Sequence, residues 1–277
     1  MDSLNDINSV ESKSHITKLL ESIQPIPSSH HFSNLDIDLS NSIGQLDNSY
    51  LGGLVIEPRA CDELNFVISN YFEEIQRPFV VITSRFNNAF MENKYIQKML
   101  KKNLLKIVLI ENKSIAASDY NKLLLSNSLW KILPFKKVLI FQTDSLICKH
   151  SDYTIDDFLK FDYIGSAWTR ERPIGLTIDG GSGGFSLRNI ELSLSVIKNF
   201  DPNSWPGGED GYYAFYLELI GGKVGKFDDC VKFSTQEVFL EKSFGCHKIE
   251  LLDNVSRKRF YNYEKNIIKI MNDGLNR

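Results

Sequence analysis

Three stretches of this sequence carry residues whose types and spacing could do chemistry. Asp144 ends an apolar run, Glu209 and Asp210 follow a Gly-Gly pair, and a glycine cluster spans residues 180–184. A carboxylate can hold a divalent cation or accept a proton, and glycines let the backbone approach a ligand closely. Each carboxylate also has a structural interpretation, as a turn cap for Asp144 and as the first turn of a helix for the paired acids.

Asp144 is the first candidate because of what precedes it. Residues 138–141 are all apolar, and the chain then changes abruptly to Gln142-Thr143-Asp144-Ser145. Such a run predicts a buried strand covered by helices, and in open α/β sheets ligands gather at the carboxyl ends of the strands. Mg²⁺ and Mn²⁺ take few protein carboxylates and several phosphate or water oxygens. Asp144 could therefore hold a cation that binds the two phosphates of a nucleotide.

The strands and helices that must position this aspartate are predicted from alternating patterns along the chain. Strands are predicted at residues 53–57, 79–83, 106–110 and 137–141, and helices at 64–75, at 89–100 and after a cap at Ser118-Asp119. Consecutive βα units predict parallel strands joined by right-handed crossovers. The predicted fold class is therefore α/β, with a Rossmann-like nucleotide-binding half and a mixed central sheet.

After Asp144 the regular alternation stops. Thr154 to Asp157 has the pattern of a capping box, and the glycine cluster lacks the spacing of a P-loop. The further elements predicted are a strand at 163–168, helices at 190–197 and 212–219, a strand at 231–234 and a basic helical segment at the end.

Composition excludes several classes of protein. The chain has 277 residues, 42% of them hydrophobic, and a net charge of -3, so nucleic acid is not an expected partner. Four dispersed cysteines without a C-x-x-C pair argue against a structural zinc site or a disulfide framework. No stretch has the pattern of a signal peptide or a transmembrane segment, so a cytoplasmic location is expected.

Residues 1–50 are expected to form a partly irregular N-terminal extension, with the main domain at 51–277. The extension is rich in Ser, Asn and Asp, and His30-His31 is interpreted as a loop pair rather than a metal site. Within it, Ile16, Leu19, Leu20 and Ile23 form a helical stripe that could pack on the domain or join two subunits as a homo-oligomer.

Five segments taken together resemble a little-characterised family of GT-A-like glycosyltransferases. They are Leu-Ile-Phe-Gln-Thr-Asp-Ser (139–145), Tyr-Ile-Gly-Ser-Ala-Trp (163–168), Gly-Gly-Phe-Ser-Leu-Arg (183–188), Gly-Gly-Glu-Asp (207–210) and Phe-Gly-Cys-His-Lys (244–248). The resemblance covers roughly residues 51–250. It implies a GT-A-like fold, in which a Rossmann-like nucleotide-sugar half is fused to an acceptor half, and a divalent metal, Mn²⁺ or Mg²⁺.

The resemblance also implies roles for individual residues. GT-A enzymes commonly carry Asp-x-Asp where this chain has Gln142-Thr143-Asp144, which leaves Asp144 as the main ligand from that motif. His247 would fit the C-terminal metal-binding histidine, although a lone histidine can equally be a hydrogen-bonded structural residue. The loop 205–210 looks like the Trp-Gly-Gly-Glu-Asp loop of β-1,4-galactosyltransferases, which places Asp210 as the base and Glu209 as an acceptor-binding partner.

The expected function is transfer of a sugar, with inversion, from a nucleoside-diphosphate sugar such as a UDP-sugar to a glycan or other hydroxyl acceptor. Alternatives are a non-catalytic nucleotide-sugar or glycan-binding module and a metal-dependent hydrolase. Arg59 and Arg85 could equally be surface ion-pair residues, and Trp205 an ordinary packing residue. The donor is expected to contact Glu57, Arg59, Thr83, Arg85, Gln142, Thr143 and Asp144, and the acceptor Trp168, Gly183, Gly184 and Trp205.

Overall fold

Ten strands form two sheets in the computed structural model, which describes residues 37–169 and 178–265. The predicted helix around Ile16 to Ile23 and the His30-His31 pair lie outside these residues. The strands are β1 (Ser42–Ile43), β2 (Ser49–Ile56), β3 (Phe79–Ser84), β4 (Leu105–Ile110), β5 (Phe135–Phe141), β6 (Ser145–Ile147), β7 (Tyr163–Ser166), β8 (Ser182–Asn189), β9 (Ser234–Thr235) and β10 (Gly245–His247).

The larger sheet has the order β1-β4-β3-β2-β5-β8-β7. Strands β4, β3, β2 and β5 are parallel, whereas β1, β8 and β7 run antiparallel to their neighbours. The chain runs outward from β2 to β4 and then returns to place β5 on the other side of β2. The strand order therefore reverses between β2 and β5, which is where open α/β sheets bind ligands. The predicted α/β class with a mixed central sheet is confirmed.

Nine helices occur in the described part of the chain and cover both faces of the larger sheet. One core cluster includes Tyr71 and Phe141, and the other includes Trp130 and Tyr213. None of these helices is long and apolar enough to cross a membrane. The helices are α1 (Asp62–Glu74), α2 (Asn88–Glu92), α3 (Lys94–Lys101), α4 (Ala117–Leu124), α5 (Asn127–Lys131), α6 (Ile190–Asn199), α7 (Glu209–Leu219), α8 (Phe227–Phe233) and α9 (Asn254–Tyr263).

The smaller sheet, β6-β10-β9, depends on the turn that follows β5. The amide of Ser145 donates to the carbonyl of Gln142 at 3.0 Å, which turns the chain out of β5 and into β6. Strand β10 pairs antiparallel with β6 and sets His247 opposite Ser145. The end of β10 therefore lies next to the turn that follows β5.

Several predicted elements differ from the observed ones. The strand predicted at 231–234 is wrong for its first three residues, because Phe227–Phe233 form helix α8 and bury Cys230 and Phe233, and strand β9 begins only at Ser234. The helix predicted at 89–100 is two helices, since Asn93 ends the first and caps the second with its side-chain oxygen. The cap predicted at Ser118-Asp119 is also wrong, because Ala116 precedes the first helical residue, Ala117.

Other boundaries are displaced or confirmed. The predicted domain boundary after residue 50 falls inside β2, and Ser42–Ile43, from the predicted extension, pair with β4. The capping box between Thr154 and Asp157 is present. Helix α7 begins at Glu209, three residues before the predicted start, so both acids belong to its first turn.

Candidate functional site

A cavity of about 540 Å³ opens at the switch point between β2 and β5. Its walls come from the segment after β2, the start of α4, the end of β5, the start of β8, the start of α7 and the end of β10. The cavity thus gathers residues that are far apart in the sequence. The predicted site residues that line it are Glu57, Arg59, Gln142, Gly183, Gly184, Glu209, Asp210 and His247.

His247 and Asp144 meet beside this cavity. The imidazole Nε2 lies 3.3 Å from Asp144 Oδ1 and 3.2 Å from Gln142 Oε1. The main chain holds the two segments together, because the amide of Lys248 donates to the carbonyl of Asp144 at 3.2 Å. Asp144 and His247 are only 4% and 1% exposed, so they form a buried pair rather than an exposed site.

The second imidazole nitrogen of His247 is held by Gln236. Nδ1 lies 2.7 Å from Gln236 Oε1. When Nδ1–H donates to this oxygen, Nε2 is the nitrogen that faces the oxygens of Asp144 and Gln142. Metal-binding histidines commonly donate their other N–H to a carbonyl oxygen in this manner. Gln236 was not a predicted site residue, and no motif in the sequence marks it.

The donors around Nε2 fit a shared divalent cation. Ligands about 2.1 Å from a six-coordinate ion stand about 3 Å apart when they are at right angles, which is close to the separations from His247 to Asp144 and to Gln142. Among the described residues, no group of three or more His, Cys, Asp or Glu side chains could hold a metal. One carboxylate, one imidazole and one amide oxygen would leave positions for phosphate and water, as Mn²⁺ and Mg²⁺ require.

Glu57 and Arg59 form an ion pair on the β2 side of the cavity. Arg59 Nε and Nη2 donate to Glu57 Oε1 and Oε2 at 2.8 and 2.7 Å. The hydroxyl of Thr143 donates to Glu57 Oε2 at 3.3 Å, which ties the pair to the end of β5. Glu57 is buried, and the half-buried Arg59 is the member of this pair with more surface in the cleft.

Two predicted donor-binding residues lie away from the cavity. Thr83 is fully buried, and its hydroxyl donates to the carbonyl of Glu57 at 2.8 Å. Arg85 is exposed, pairs with Glu111 at 2.7 Å and lies over the ring of Phe86. The geometry therefore favours the surface ion-pair alternative for Arg85 and a strand-linking role for Thr83.

Arg188 was missed by the sequence reasoning and is central to the first turn of α7. Its Nη1 and Nη2 donate to Glu209 Oε2 and Oε1 at 2.5 and 3.0 Å, and both side chains are buried. The guanidinium lies between the rings of Tyr163 and Tyr213, at 5.1 and 5.2 Å from their centroids. Burial by itself lowers the pKa of Arg188, but Glu209 and the two phenols raise it above its ordinary value. Arg188 occupies a polar position in the alternation Phe185-Ser186-Leu187-Arg188, which is the pattern of an exposed residue, so the alternation did not mark it.

Asp210 follows Glu209 but has a different environment. It is half-buried and lines the cavity, and its Oδ1 accepts a hydrogen bond from the amide of Gly211 at 2.8 Å. It is the second residue of α7 and therefore lies in the first turn, at the positive end of the helix dipole. Both acids line the cavity, but Glu209 is buried and bound to Arg188, whereas Asp210 is the more exposed of the two.

Gly183 and Gly184 make room for neighbouring functional groups. A β-carbon on Gly183 would overlap the carboxylate of Glu209, and one on Gly184 would overlap the His247 ring and lie 2.9 Å from Gln142 Oε1. Both residues also line the cavity. These glycines therefore let the His247 and Glu209 side chains lie against β8, in addition to any contact that they make with a ligand.

The two predicted stacking tryptophans do not line the cavity. Trp205 is 2% exposed, its Nε1–H donates to the carbonyl of Gly208 at 3.0 Å, and its ring packs near Phe215 and Tyr216. The packing alternative is therefore favoured for Trp205. Trp168 is half-buried against the second core cluster.

Comparison with known proteins gives one family and distant structural likenesses that include two glycosyltransferases. The chain is similar to the apo-form glycosyltransferase GlyE of Streptococcus pneumoniae TIGR4, with a TM-score of 0.46 and 10% identity over 81% of this chain and 63% of that one. It is also similar to the PaToxG glycosyltransferase, with a TM-score of 0.30 and 11% identity over 75% and 77% of the two chains. The chain thus spans about 63% of the length of the GlyE chain. No curated protein matches it in sequence. Residues 105–247, from β4 to His247, match the model of the family described as "Protein of unknown function (DUF5672)", and the chain belongs to that family.

Proposed function

We propose that this protein is a metal-dependent glycosyltransferase that uses a nucleoside-diphosphate sugar, with a UDP-sugar as the expected donor. The observation that carries the proposal is the position of two groups at one cavity. Gln142 and His247, which contact each other next to Asp144, line the same cavity as Asp210. A donor diphosphate and an acceptor hydroxyl need these two environments close to each other.

In the proposed reaction, Asp210 accepts the proton of the acceptor hydroxyl. The acceptor oxygen forms a bond to the anomeric carbon from the face opposite the departing group, and the bond from that carbon to the diphosphate oxygen breaks. The nucleoside diphosphate leaves with the electron pair, and the configuration at the anomeric carbon is inverted. A divalent cation held by Asp144, His247 and Gln142 would neutralise the charge of the departing diphosphate.

Glu209 has a supporting role in this proposal. Both of its carboxylate oxygens accept hydrogen bonds from Arg188. The pair anchors the residue before Asp210 and therefore orients the base, so we assign to Glu209 a positioning role in place of direct acceptor binding. The buried negative charge is matched by the guanidinium, which leaves Asp210 as the carboxylate directed at the acceptor.

The test combines donor binding with product analysis. The purified protein is incubated with a panel of UDP- and GDP-sugars, with Mn²⁺ or with EDTA, and with or without a mixture of glycoside acceptors. We expect Mn²⁺-dependent release of nucleoside diphosphate that rises when an acceptor is present, together with a glycosylated acceptor detected by mass spectrometry. Donor binding without any release would favour the non-catalytic binding module. Release that acceptors do not change, with free sugar as the product, would favour the hydrolase.

A further inference from the structure

Lys248 has an unusual backbone conformation next to the candidate metal-binding histidine. Its φ and ψ angles are 47° and 52°, in the left-handed helical region, between the end of β10 and the 3₁₀ turn Ile249–Leu251. Residues other than glycine adopt this region at an energetic cost because the β-carbon is crowded there. Such conformations cluster at active sites and at segments that clamp ligands. Lys248 also lines the cavity.

The main chain on both sides of Lys248 is fixed by hydrogen bonds. Its amide donates to the carbonyl of Asp144 at 3.2 Å, and its carbonyl accepts from the amide of Leu251 at 3.0 Å. The preceding residue, His247, is held by its place in β10 and by Gln236. The α-carbon of Lys248 is therefore held directly beside the Asp144 turn, at the wall that also carries His247.

Ion pairs already match several other charged residues that line the cavity. Arg59 is matched by Glu57, and Glu209 is matched by Arg188. No ion pair joins Lys248 to a carboxylate of residues 37–169 or 178–265. A lysine in a partly enclosed cleft without such a partner attracts anions more strongly than one in open solvent.

We propose that Lys248 binds the diphosphate of the donor. The ammonium would donate hydrogen bonds to phosphoryl oxygens next to the Asp144 and His247 wall and stabilise the negative charge that the nucleoside diphosphate carries when it leaves. The inference rests on the proposed function for the identity of the donor. Whether a lysine beside His247 binds a diphosphate can be tested without turnover.

The chain offers a matched control in Lys242. Lys242 is the other lysine of the described residues with a left-handed conformation, at a φ of 60°, but it lies outside the cavity and pairs with Asp152 at 3.2 Å. Replacing either lysine by glycine relieves the same backbone strain and removes one positive charge. Lys248→Gly and Lys242→Gly therefore differ mainly in where the charge is lost.

The experiment measures binding of UDP and of inorganic pyrophosphate by titration calorimetry, in EDTA and in Mn²⁺, to wild type and to both variants. A charge-assisted hydrogen bond contributes enough to change the Kd by about tenfold or more. We expect Lys248→Gly to weaken the binding of both probes by about that factor, in EDTA as well as in Mn²⁺. Lys242→Gly should bind like wild type, and Lys248→Arg should recover most of the affinity. Thermal melting should show that both glycine variants are folded.

The outcomes separate this inference from the proposed function. Equal binding of both probes by wild type and Lys248→Gly overturns the role of Lys248 but leaves the proposed donor intact. Binding of pyrophosphate that depends on Lys248, without binding of UDP, supports the diphosphate site and contradicts a UDP-sugar as the donor. Failure of wild type to bind any of these probes overturns both.

Discussion

The carboxylate of Glu209 is bound by the guanidinium of Arg188 through two hydrogen bonds, at 2.5 and 3.0 Å, immediately before Asp210 in the chain. Arg188 lies on β8 and Glu209 is the first residue of α7, so the pair joins the central sheet to the start of that helix. Because consecutive residues of a helix point about 100° apart, fixing Glu209 on β8 also fixes the direction of Asp210. Two adjacent acids that line one cavity therefore have different environments, because Glu209 is buried against Arg188 and Asp210 is only half-buried.

Breaking this pair should unfold the protein more easily. Removing one member of a buried ion pair leaves an uncompensated charge and costs about 3–5 kcal/mol of unfolding free energy. We expect Glu209→Gln and Arg188→Met each to lose about that much in urea denaturation. The double variant Arg188→Met with Glu209→Leu should recover a large part of the loss. A Glu209→Gln variant with wild-type stability and a raised KM for the acceptor alone would instead favour direct acceptor binding.

Asp210→Asn should remove turnover without removing donor binding. The substitution keeps the shape of the side chain and removes its basicity, and general bases typically contribute about 10²-fold or more to the rate. We expect kcat to fall by at least that factor while the Kd for UDP in Mn²⁺ is unchanged. Near-wild-type turnover by Asp210→Asn would show that another group accepts the proton, and Asp210 would then be only a helix N-terminal residue.

The cation site is tested by one variant that preserves side-chain volume and by one that removes a ligand. Asp144→Asn should weaken the Mn²⁺-dependent part of UDP binding, because the amide replaces a charged ligand, and should leave binding in EDTA almost unchanged. His247→Ala should have the same effect on Mn²⁺ together with some loss of stability, since the buried ring leaves a cavity. Mn²⁺ titration curves that superimpose on wild type for both variants would falsify the cation site.

Gly184→Ala and Gly183→Ala form a second matched pair. A β-carbon at Gly184 overlaps the His247 ring, whereas one at Gly183 overlaps the Glu209 carboxylate. We expect Gly184→Ala to reduce the effect of Mn²⁺ on UDP binding and Gly183→Ala mainly to reduce thermal stability and kcat. The same defect in both variants would show that the two glycines act together, as a surface for the ligand.

Trp205→Ala should affect stability rather than acceptor recognition. Its ring is buried against Tyr212, Phe215 and Tyr216, and loss of such a ring typically costs about 3–5 kcal/mol. Trp205→Phe should keep much of the packing and lose the bond to Gly208. Selective weakening of acceptor binding in a variant of wild-type stability would restore the stacking role.

The sequence alone determined the class of the fold and the neighbourhood of the site. The parallel strands β2, β3, β4 and β5 come from continuous apolar runs, which local chemistry specifies because a strand covered on both faces needs apolar residues at every position. The end of β5 before Gln142-Thr143-Asp144 could be predicted because the apolar run stops there. The structure of the segment around 231–234 could not be predicted in this way, because a short stretch with alternating apolar residues fits either a strand or one buried helix face.

Only the tertiary structure decided which side chains meet. Arg188 and Glu209 are 21 residues apart and Gln142 and His247 are 105 apart, so no local pattern records their contacts. The same holds for the left-handed conformation of Lys248 and for the burial of Trp205. The direction of a side chain depends on how its strand or helix is rotated against the neighbouring elements, and that rotation is set by packing across the whole core.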